Sequence, residues 1–371
     1  MIAYASAMLP GAGTDCAAPV RLSLARDLTP ALTGCDAVIC QVRAGGMAGR
    51  AGDEAMALAA GVPADEGLGP AGLANYLRSR SLLDRIGEAW AGACPEAVLF
   101  QLSSPLGLAV ARLAGHGGQV VGLCELPATT SAAVRAVAEP ELGPLRHAHF
   151  GSNHQSWLYE FRDLEGRDRT EEVIELAAAA DILPVDAAVI RTEKAVPVAY
   201  LRLHYERSVV LAEQRSRQRT RGEEVMAWAE ALDAAYLADP GPDDATIADL
   251  LARRRMDWHD KAVVPAMAAW AGCSPAELVV NVMGVAEDIA VELPCRIGGG
   301  AVTPLRQPPL PQGPGELHRR LADYERGALA LPDQPRDDEI AEVLLRHPLV
   351  PDHATAARLG RDILARRDAG R

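Results

Sequence analysis

Three apolar segments in the first third of the chain constrain its fold more than any other feature of the sequence. Residues 36–46, 96–105 and 119–127 each read as a strand, and helical patterns at 71–94 and 106–115 separate them. Apolar strands that alternate with helices are typical of a parallel sheet with both faces covered. The pattern therefore predicts an α/β fold built on a Rossmann-like parallel sheet.

Three polar side chains lie at or just beyond the ends of these predicted strands. They are Arg43, Ser104 and Cys124. In open parallel sheets, ligands bind in the crevice outside the carboxyl ends of the strands. We therefore expect these three side chains to meet in one ligand-binding crevice.

Helical patterns dominate the chain beyond residue 128, and short strands interrupt them. The predicted helices span 129–138, 170–181, 208–237, 245–272 and 335–369, and the predicted strands span 145–150, 158–163 and 289–296. The change in pattern predicts two units. Residues 1–127, with a further alternating strand at 20–27, form the Rossmann-like domain. Residues 128–371 form a mostly helical α+β domain.

The composition of the chain excludes several kinds of partner and compartment. Over 371 residues the net charge is −13, which argues against a nucleic acid or an anionic membrane as partner. No stretch reaches the roughly 18 apolar residues of a membrane span, and the first residues lack the basic start of a secretory signal. The seven cysteines form no CxxC pair. We therefore expect a cytoplasmic protein with reduced cysteines.

Cys124 and His154 are the strongest candidates for metal ligands. Each lies in a short segment marked by glycine or proline after an apolar run, GLCELP (122–127) and FGSNHQSW (150–157). A thiolate and an imidazole can both bind a metal, and the pair by itself favours zinc. A single cysteine after an apolar strand is also a common core residue, and a histidine in a turn often makes only a hydrogen bond. The spacing leaves both interpretations open.

Several arginines and one tyrosine have the chemistry to contact an anionic substrate or to move a proton. Arg43 and Arg50 flank a glycine turn, and Arg221 lies at the start or in the interior of a predicted helix. The planar fork of arginine binds phosphate or carboxylate, although charged residues of this kind also form ordinary solvated faces. Tyr200, in AYLRLHYE (199–206), can act as a base only beside a cation, and otherwise packs within a helix.

In combination, these segments resemble glycoside hydrolase family 4, the NAD- and metal-dependent phosphoglycosidases. The strings that carry the resemblance run in family order from about residue 20: DAVICQVRAGGMAGRAGDE, GLGPAGLANYLRS, CPEAVLF, SSPLG, VVGLCELP, FGSNHQSW, AYLRLHY, TRGEEV, LPCRIGG and HPLV. No single string is specific, but the ordered set is.

The resemblance implies an enzyme that hydrolyses 6-phosphorylated glucosides, of the β type, with NAD and Mn²⁺ as cofactors. NAD takes hydride from C3 of the sugar, a base removes the proton on C2, the leaving group is eliminated, water adds and the ketone is reduced. The metal polarises the C2 and C3 oxygens, which overrides the preference for zinc. The family also implies a homo-oligomer, either a dimer or a tetramer.

Position by position, the resemblance assigns roles to individual residues. Cys124 and His154 match the metal ligands, and Tyr200 matches the base at C2. Arg50 and Arg221 match the arginines that bind the substrate's phosphate. Asn153 matches a residue that touches the sugar hydroxyls, and Glu54 lies in a segment that often contacts substrate. Ser104 and Arg43, at the strand ends, are further candidates for substrate binding.

Two of these positions depart from the family pattern. Glu125 follows the cysteine ligand where the family has asparagine or aspartate. It is either an acid that reaches the leaving group or a carboxylate behind the metal ligand. Ser104 replaces an asparagine that bonds the substrate, and its hydroxyl can still donate a hydrogen bond.

The amino end also departs from the family, which opens with a strand, a GGGS-type phosphate loop, a helix and a second strand. The early candidate PGAGTDC (10–16) lacks a preceding strand and a third glycine, so the Rossmann-like sheet is expected to be truncated. Three interpretations follow. The chain is a phosphoglycosidase whose start lies upstream, a truncated inactive relative that binds a sugar phosphate or assembles with a paralogue, or a protein that uses the scaffold structurally.

Overall fold

A computed structural model describes residues 23–238, 245–253, 258–284 and 287–369. Within these residues the strands are β1 Ala37–Cys40, β2 Val98–Gln101, β3 Val120–Gly122, β4 Leu145–Ser152, β5 Gln155–Asp163, β6 Val196–Pro197, β7 Ala276–Met283, β8 Ala290–Gly298 and β9 Ala301–Pro304. They form one sheet with the order β1-β2-β3-β7-β8-β4-β5-β6, and β9 pairs with β8.

Helices account for most of the other described residues. They are α1 Leu28–Leu32, α2 Gly46–Ala59, α3 Gly69–Ala93, α4 Leu106–Ala114, α5 Leu126–Leu142, α6 Thr170–Ala179, α7 Ala187–Glu193, α8 Arg202–Tyr205, α9 Arg207–Ser216, α10 Arg221–Leu237, α11 Ala245–Arg253, α12 Val264–Trp270, α13 Gln312–Ala330, α14 Asp337–Arg346 and α15 His353–Ala369. A 3₁₀ turn at Ala199–Leu201 precedes α8, and a π-helical turn at His259–Val263 precedes α12.

The first three strands pair in parallel, as the apolar segments predict. β2 is buried along its whole length, since strands lie on both of its sides. Ile39 of β1 is 46% exposed, because β1 lies at the edge of the sheet in the described part of the chain. Each strand is shorter than predicted, since the chain leaves the sheet after residues 40, 101 and 122. Those departures place Arg43, Ser104 and Cys124 just beyond the carboxyl ends of the three strands.

The prediction of a strand at 20–27 is wrong for the residues that the structure describes. Residues 23–27 are not in a strand, and residues 20–22 lie outside the described residues. Leu24 is 77% exposed, so its alternating apolar side chain packs on no core surface. The glycine-rich segment 10–16, and with it the predictions about the amino end, also lies outside the described residues.

The sheet continues past the predicted domain boundary at residue 127. Asn281 of β7 pairs with Gly122 of β3 in the antiparallel sense, and β8, β4, β5 and β6 extend the sheet from there. β4, β5 and β8 confirm three predicted strands, whereas β7 was not predicted, because its apolar run follows directly on a long helical pattern. The division into residues 1–127 and 128–371 stays a prediction.

Two of the long predicted helices are interrupted at positions with a local cause. The predicted helix at 208–237 is two helices, and Thr220 begins the second one with a capping box that includes Glu223. The predicted helix at 335–369 is broken between α14 and α15, where Pro348 lies. Among the helices of the described residues, none combines the length and the apolar character needed to cross a membrane.

Candidate active site at the carboxyl ends of the parallel strands

The turn between β4 and β5 carries two of the predicted site residues. Ser152 pairs with Gln155, so Asn153 and His154 form a two-residue hairpin loop. His154 has a φ of 63°, a left-handed conformation that costs energy in a residue other than glycine. Gly151 lets the backbones of β4 and β5 approach closely at the turn, because a Cβ at this residue would lie 2.4 Å from the carbonyl oxygen of Gln155. The sequence GSNHQ thus folds into a constrained turn that presents the His154 ring.

Cys124 meets His154 beyond the end of β3. The thiol lies between β3 and α5, close enough to the His154 ring for each group to shift the pKa of the other. Both residues are buried, with 6% and 9% of their surfaces exposed. Burial raises the pKa of the Cys124 thiol, and the neighbouring imidazole opposes that shift. The structure therefore brings together two residues that a helix and a strand separate along the chain.

Asp65 and Tyr200 complete the surroundings of His154. Oδ1 of Asp65 lies 3.7 Å from Nδ1 of His154. This distance is too long for a hydrogen bond but close enough for strong attraction between opposite charges. Burial disfavours protonation of His154, but Asp65 and Cys124 outweigh burial and raise the pKa of the imidazole well above its usual range. The Tyr200 ring stacks on the His154 ring with centroids 4.3 Å apart. We call Cys124, His154, Asp65 and Tyr200 the metal side of the site.

Tyr200 is held in its neutral form by its surroundings. The Asp65 carboxylate is the larger cause and burial the second, and together they raise the pKa of the phenol to about 12. A phenol with this pKa loses its proton near neutral pH only when a cation lies close to it. The metal side therefore has the composition of a site that becomes reactive when positive charge is added.

The donor atoms of the metal side fit a divalent cation. Nδ1 of His154 is buried and has no hydrogen-bond partner among the described residues. Cys124 offers a soft sulfur donor, and Asp65 offers a carboxylate oxygen nearby. No group of three or more His, Cys, Asp or Glu side chains in the described ranges is arranged to hold a metal by itself. Cys124 and His154 would therefore hold a metal through few protein atoms and leave positions for water and substrate oxygens.

Arg43 and Arg50 converge on one carboxylate next to the metal side. Both guanidinium groups contact Glu66, and Nη1 of Arg50 lies 2.9 Å from its Oε2. Nε of Arg50 also lies 2.7 Å from Oε1 of Glu54, one turn along α2. All four side chains are at most 20% exposed, so these ion pairs are partly desolvated. We call Arg43, Arg50, Glu54 and Glu66 the arginine side, which adjoins the metal side because Glu66 follows Asp65.

Arg221 is joined to the arginine side only through the backbone of its neighbour Gly222. The N–H of Gly222 donates to Oε2 of Glu54 at 2.7 Å and joins the start of α10 to α2. The side chain of Arg221 pairs instead with Glu224 at 3.0 Å and lies over the ring of Trp228, with 47% of its surface exposed. The two predicted phosphate-binding arginines therefore lie on neighbouring helices, but their guanidinium groups have different partners.

Ser104 and Glu125 lie at strand ends beside the same crevice. Ser104 precedes a cis peptide bond to Pro105 and packs against Gly67, in the loop that carries Asp65 and Glu66. Oε2 of Glu125 lies 3.9 Å from the sulfur of Cys124. The structure thus gathers the candidate residues at one edge of the sheet, while their individual roles stay predictions.

Sequence reasoning missed three carboxylates that organise this site. Asp65 and Glu66 stand directly before the string GLGPAGLANYLRS, and an acidic pair opening a glycine-rich helix start was the available signal. Glu292 lies in the apolar strand β8 with no exposed surface. A charged residue in such a run is almost always paired when buried, so its presence was also a readable signal.

Comparison with known proteins identifies the family. A model described as "Family 4 glycosyl hydrolase" matches residues 7–139, and one described as "Family 4 glycosyl hydrolase C-terminal domain" matches residues 149–350. The first match begins earlier than residue 20, where the resemblance of the strings begins. Together the two matches cover most of the chain.

Relatives of known identity agree with this assignment. The 6-phospho-beta-glucosidase of Escherichia coli (strain K12) is 23% identical over 305 residues, which cover 77% of this chain and 68% of that protein. The probable 6-phospho-beta-glucosidase of Bacillus subtilis (strain 168) is 22% identical over 358 residues, covering 92% and 81%.

Solved structures confirm the predicted α/β fold. The 6-phospho-beta glucosidase of Thermotoga maritima, solved with manganese, NAD+ and glucose-6-phosphate, has a TM-score of 0.80 at 21% identity, covering 93% of this chain and 84% of that one. A 6-phospho-alpha-glucosidase from gut microorganisms, solved with NAD and glucose-6-phosphate, has a TM-score of 0.77 at 17% identity, covering 93% and 83%. The family predicted from the ordered strings is therefore confirmed, and the chain belongs to glycosyl hydrolase family 4.

Proposed function

We propose that the chain is a 6-phospho-β-glucosidase that uses NAD and a divalent metal, with manganese as the preferred ion. The observation that carries the proposal is the junction of the two sides of the site: Asp65 faces His154, while the adjacent Glu66 binds Arg43 and Arg50. One sugar ring over this junction can turn its C2 and C3 oxygens to the metal side and its 6-phosphate to the arginine side. The names of the relatives, and the ligands of the Thermotoga structure, support the same substrate class.

The proposed reaction begins with oxidation of the sugar at C3, which makes the proton on C2 acidic. Loss of that proton lets the leaving group depart from C1, water adds to the double bond, and C3 is reduced again. NAD and the metal would supply hydride transfer and Lewis-acid polarisation of the C2 and C3 oxygens. Cys124 and His154 hold the metal in this scheme. Tyr200 would take the C2 proton, because its ring stacks on that of His154 and a bound cation would favour the deprotonated phenol.

Recognition of the 6-phosphate falls to the arginine side. Arg50 and Arg43 exchange Glu66 for a phosphate oxygen, which matches their planar forks and keeps their charge neutralised. Glu54 keeps Arg50 in place during this exchange, because it remains bonded to Nε. Arg221, whose side chain is 47% exposed, would add a weaker contact to the phosphate from the rim of the site.

The remaining candidate residues contact the sugar and the leaving group. Asn153 and Ser104 bond sugar hydroxyls from the hairpin turn and from the end of β2. Glu125 lies next to Cys124 and donates a proton to the departing oxygen as a general acid.

The alternative is a family member that binds a sugar phosphate, or assembles with a paralogue, without catalysis. It is favoured by Ser104, which stands where the resemblance expects asparagine. In both cases we expect self-association into a dimer or tetramer.

The test is release of p-nitrophenol from p-nitrophenyl β-glucoside 6-phosphate with NAD+ and Mn²⁺. We expect release that stops when either cofactor is omitted, and, in D₂O, incorporation of deuterium at C2 of the product. The α anomer and the unphosphorylated β-glucoside serve as matched substrates, and both should react more slowly. Binding of glucose-6-phosphate without any release would establish the alternative, and absence of binding would overturn both proposals.

A further inference from the structure

A buried carboxylate lies beneath the hairpin turn that carries His154. Glu292, in the middle of β8, has no exposed surface. Its backbone pairs with Asn281 of β7 on one side and with Gly151 of β4 on the other. The side chain is therefore buried against a central part of the sheet, at the point where β4 leads into the turn.

Three side chains donate hydrogen bonds to Glu292. Oε1 accepts from Nδ2 of Asn153 at 3.2 Å and from Nδ2 of Asn281 at 3.0 Å. Oε2 accepts from the hydroxyl of Ser156 at 2.5 Å, and His149 lies 3.6 Å from the same oxygen. Burial alone would raise the pKa of Glu292, but His149, Ser156 and Asn281 outweigh burial and hold the pKa below its usual range. The carboxylate therefore stays ionised inside the sheet.

A buried charge of this kind is costly, and its partners show what it stabilises. Enclosing an ionised carboxylate costs on the order of several kcal/mol before hydrogen bonds offset the loss of water. Two of the donors flank His154, because Asn153 precedes it and Ser156 lies two residues after it. The carboxylate thus ties both ends of a turn whose central residue has an unfavourable backbone conformation.

The chemistry of a carboxylate also fixes the orientation of the Asn153 amide. An ionised carboxylate only accepts hydrogen bonds, so the amide nitrogen of Asn153 must face Glu292. The amide oxygen then points away from Glu292, and in the described part of the chain it accepts no hydrogen bond. That oxygen is an acceptor, so it selects a group that donates, such as a sugar hydroxyl.

We propose that Glu292 is a positioning residue for this site: it orients Asn153 so that its amide oxygen accepts a hydrogen bond from a sugar hydroxyl, and it holds the turn so that His154 faces Cys124. The inference rests on the proposed function for the identity of the sugar and the metal. A glutamine does not reproduce these contacts, because its amide nitrogen would either oppose the two amide donors at the Oε1 position or take the Oε2 position and reverse the hydrogen bond of Ser156.

The test compares Glu292→Gln with the double variant Glu292→Gln/Asn153→Asp. The single change removes the charge and either opposes the two amide donors or reverses the Ser156 hydrogen bond, so we expect Mn²⁺ affinity, measured by calorimetry without substrate or NAD, to fall about 10- to 100-fold. The double variant exchanges donor and acceptor, so we expect affinity to return to within about three-fold of the parent. The His154 ring signals in ¹H–¹⁵N NMR of the metal-free protein should shift in the single variant and return in the double.

The outcomes separate this inference from the proposed function. Unchanged Mn²⁺ affinity and unchanged His154 signals in Glu292→Gln would overturn the positioning role. If the single variant fails to fold, a double variant that folds and binds Mn²⁺ supports the role, and one that does not recover overturns it. If the parent protein binds no Mn²⁺, the proposed metal chemistry fails, while the NMR signals of the metal-free proteins still decide whether Glu292 positions His154.

Discussion

The metal side and the arginine side meet at two consecutive residues, Asp65 and Glu66, but they are prepared for their ligands in opposite ways. On the metal side, Nδ1 of His154 is buried without a hydrogen-bond partner. On the arginine side, Arg50 already binds two carboxylates within 3 Å. One half of the site therefore gains interactions when a ligand enters, and the other half exchanges one anion for another.

This difference has a physical basis in the two kinds of ligand. A metal replaces water with protein donors, so donors left without partners increase its affinity. A phosphate competes with a carboxylate for the same guanidinium, so only the difference between the two anions remains as binding free energy. We therefore expect removal of a metal-side donor to have larger effects than removal of an arginine.

The largest expected effect is loss of the metal. Cys124→Ser and His154→Ala should each lower Mn²⁺ affinity by more than about 100-fold, because each removes one of few protein donors. Calorimetric titration of each purified variant measures the change. Cys273→Ser is the matched control, since Cys273 is an exposed free cysteine outside the site. Parent-like affinity in either site variant would remove these residues from the metal site.

A second effect concerns Glu325 of α13, a buried carboxyl close to Ser152 at the base of the hairpin turn. Burial raises its pKa to about 8, so the folded protein keeps it protonated where the unfolded chain is ionised. Its contribution to stability is therefore complete below about pH 4.5 and is lost as the pH rises towards 8. Between these two pH values the free energy of unfolding falls by about 1.4 kcal/mol per pH unit, or roughly 4–5 kcal/mol in all.

Urea unfolding of Glu325→Gln between pH 5 and pH 8.5 measures this contribution. The variant should lose less stability than the parent over that range, because the neutral amide does not ionise. Glu165→Gln, at a site whose side chain is 68% exposed, should keep the slope of the parent. Identical slopes for the parent and Glu325→Gln would show that Glu325 ionises in the folded protein as it does in water.

The smallest expected effects distinguish the two predicted phosphate-binding arginines. Arg50→Ala should weaken glucose-6-phosphate about 10- to 100-fold, because it removes a partly buried charge-assisted contact worth roughly 1.5–3 kcal/mol. Arg221→Ala should weaken it less than about five-fold, since Arg221 is 47% exposed and paired elsewhere. Affinity for unphosphorylated glucose should hardly change in either variant.

Arg112→Ala provides the control for these two changes. Arg112 is paired with Asp84 and lies outside the site, so its loss removes one positive charge without removing a proposed phosphate contact. Equal losses for glucose and glucose-6-phosphate in Arg50→Ala would overturn the phosphate assignment. A larger loss in Arg221→Ala than in Arg50→Ala would show that Arg221 leaves Glu224 and turns into the site when the ligand binds.

The parallel strands could be predicted because burial on both faces selects uninterrupted apolar runs, and residues 96–105 and 119–127 contain such runs. For residues 20–27, the sequence does not show whether a core surface is present for a strand to pack on. The alternating pattern alone therefore assigned residues 23–27 wrongly to a strand. β7 escaped prediction for the opposite reason, since a short apolar run next to a helical pattern fits either structure.

The sequence by itself determined the family, the three parallel strands and the pairing of Cys124 with His154 as candidate ligands, because these depend on ordered strings and on strand ends. Only the tertiary structure decided that Asp65 lies beside His154, that Glu66 contacts two arginines, and that Glu292 lies beneath the turn. These contacts join residues far apart in the chain, and the sequence does not show which partner a carboxylate will meet in the folded protein.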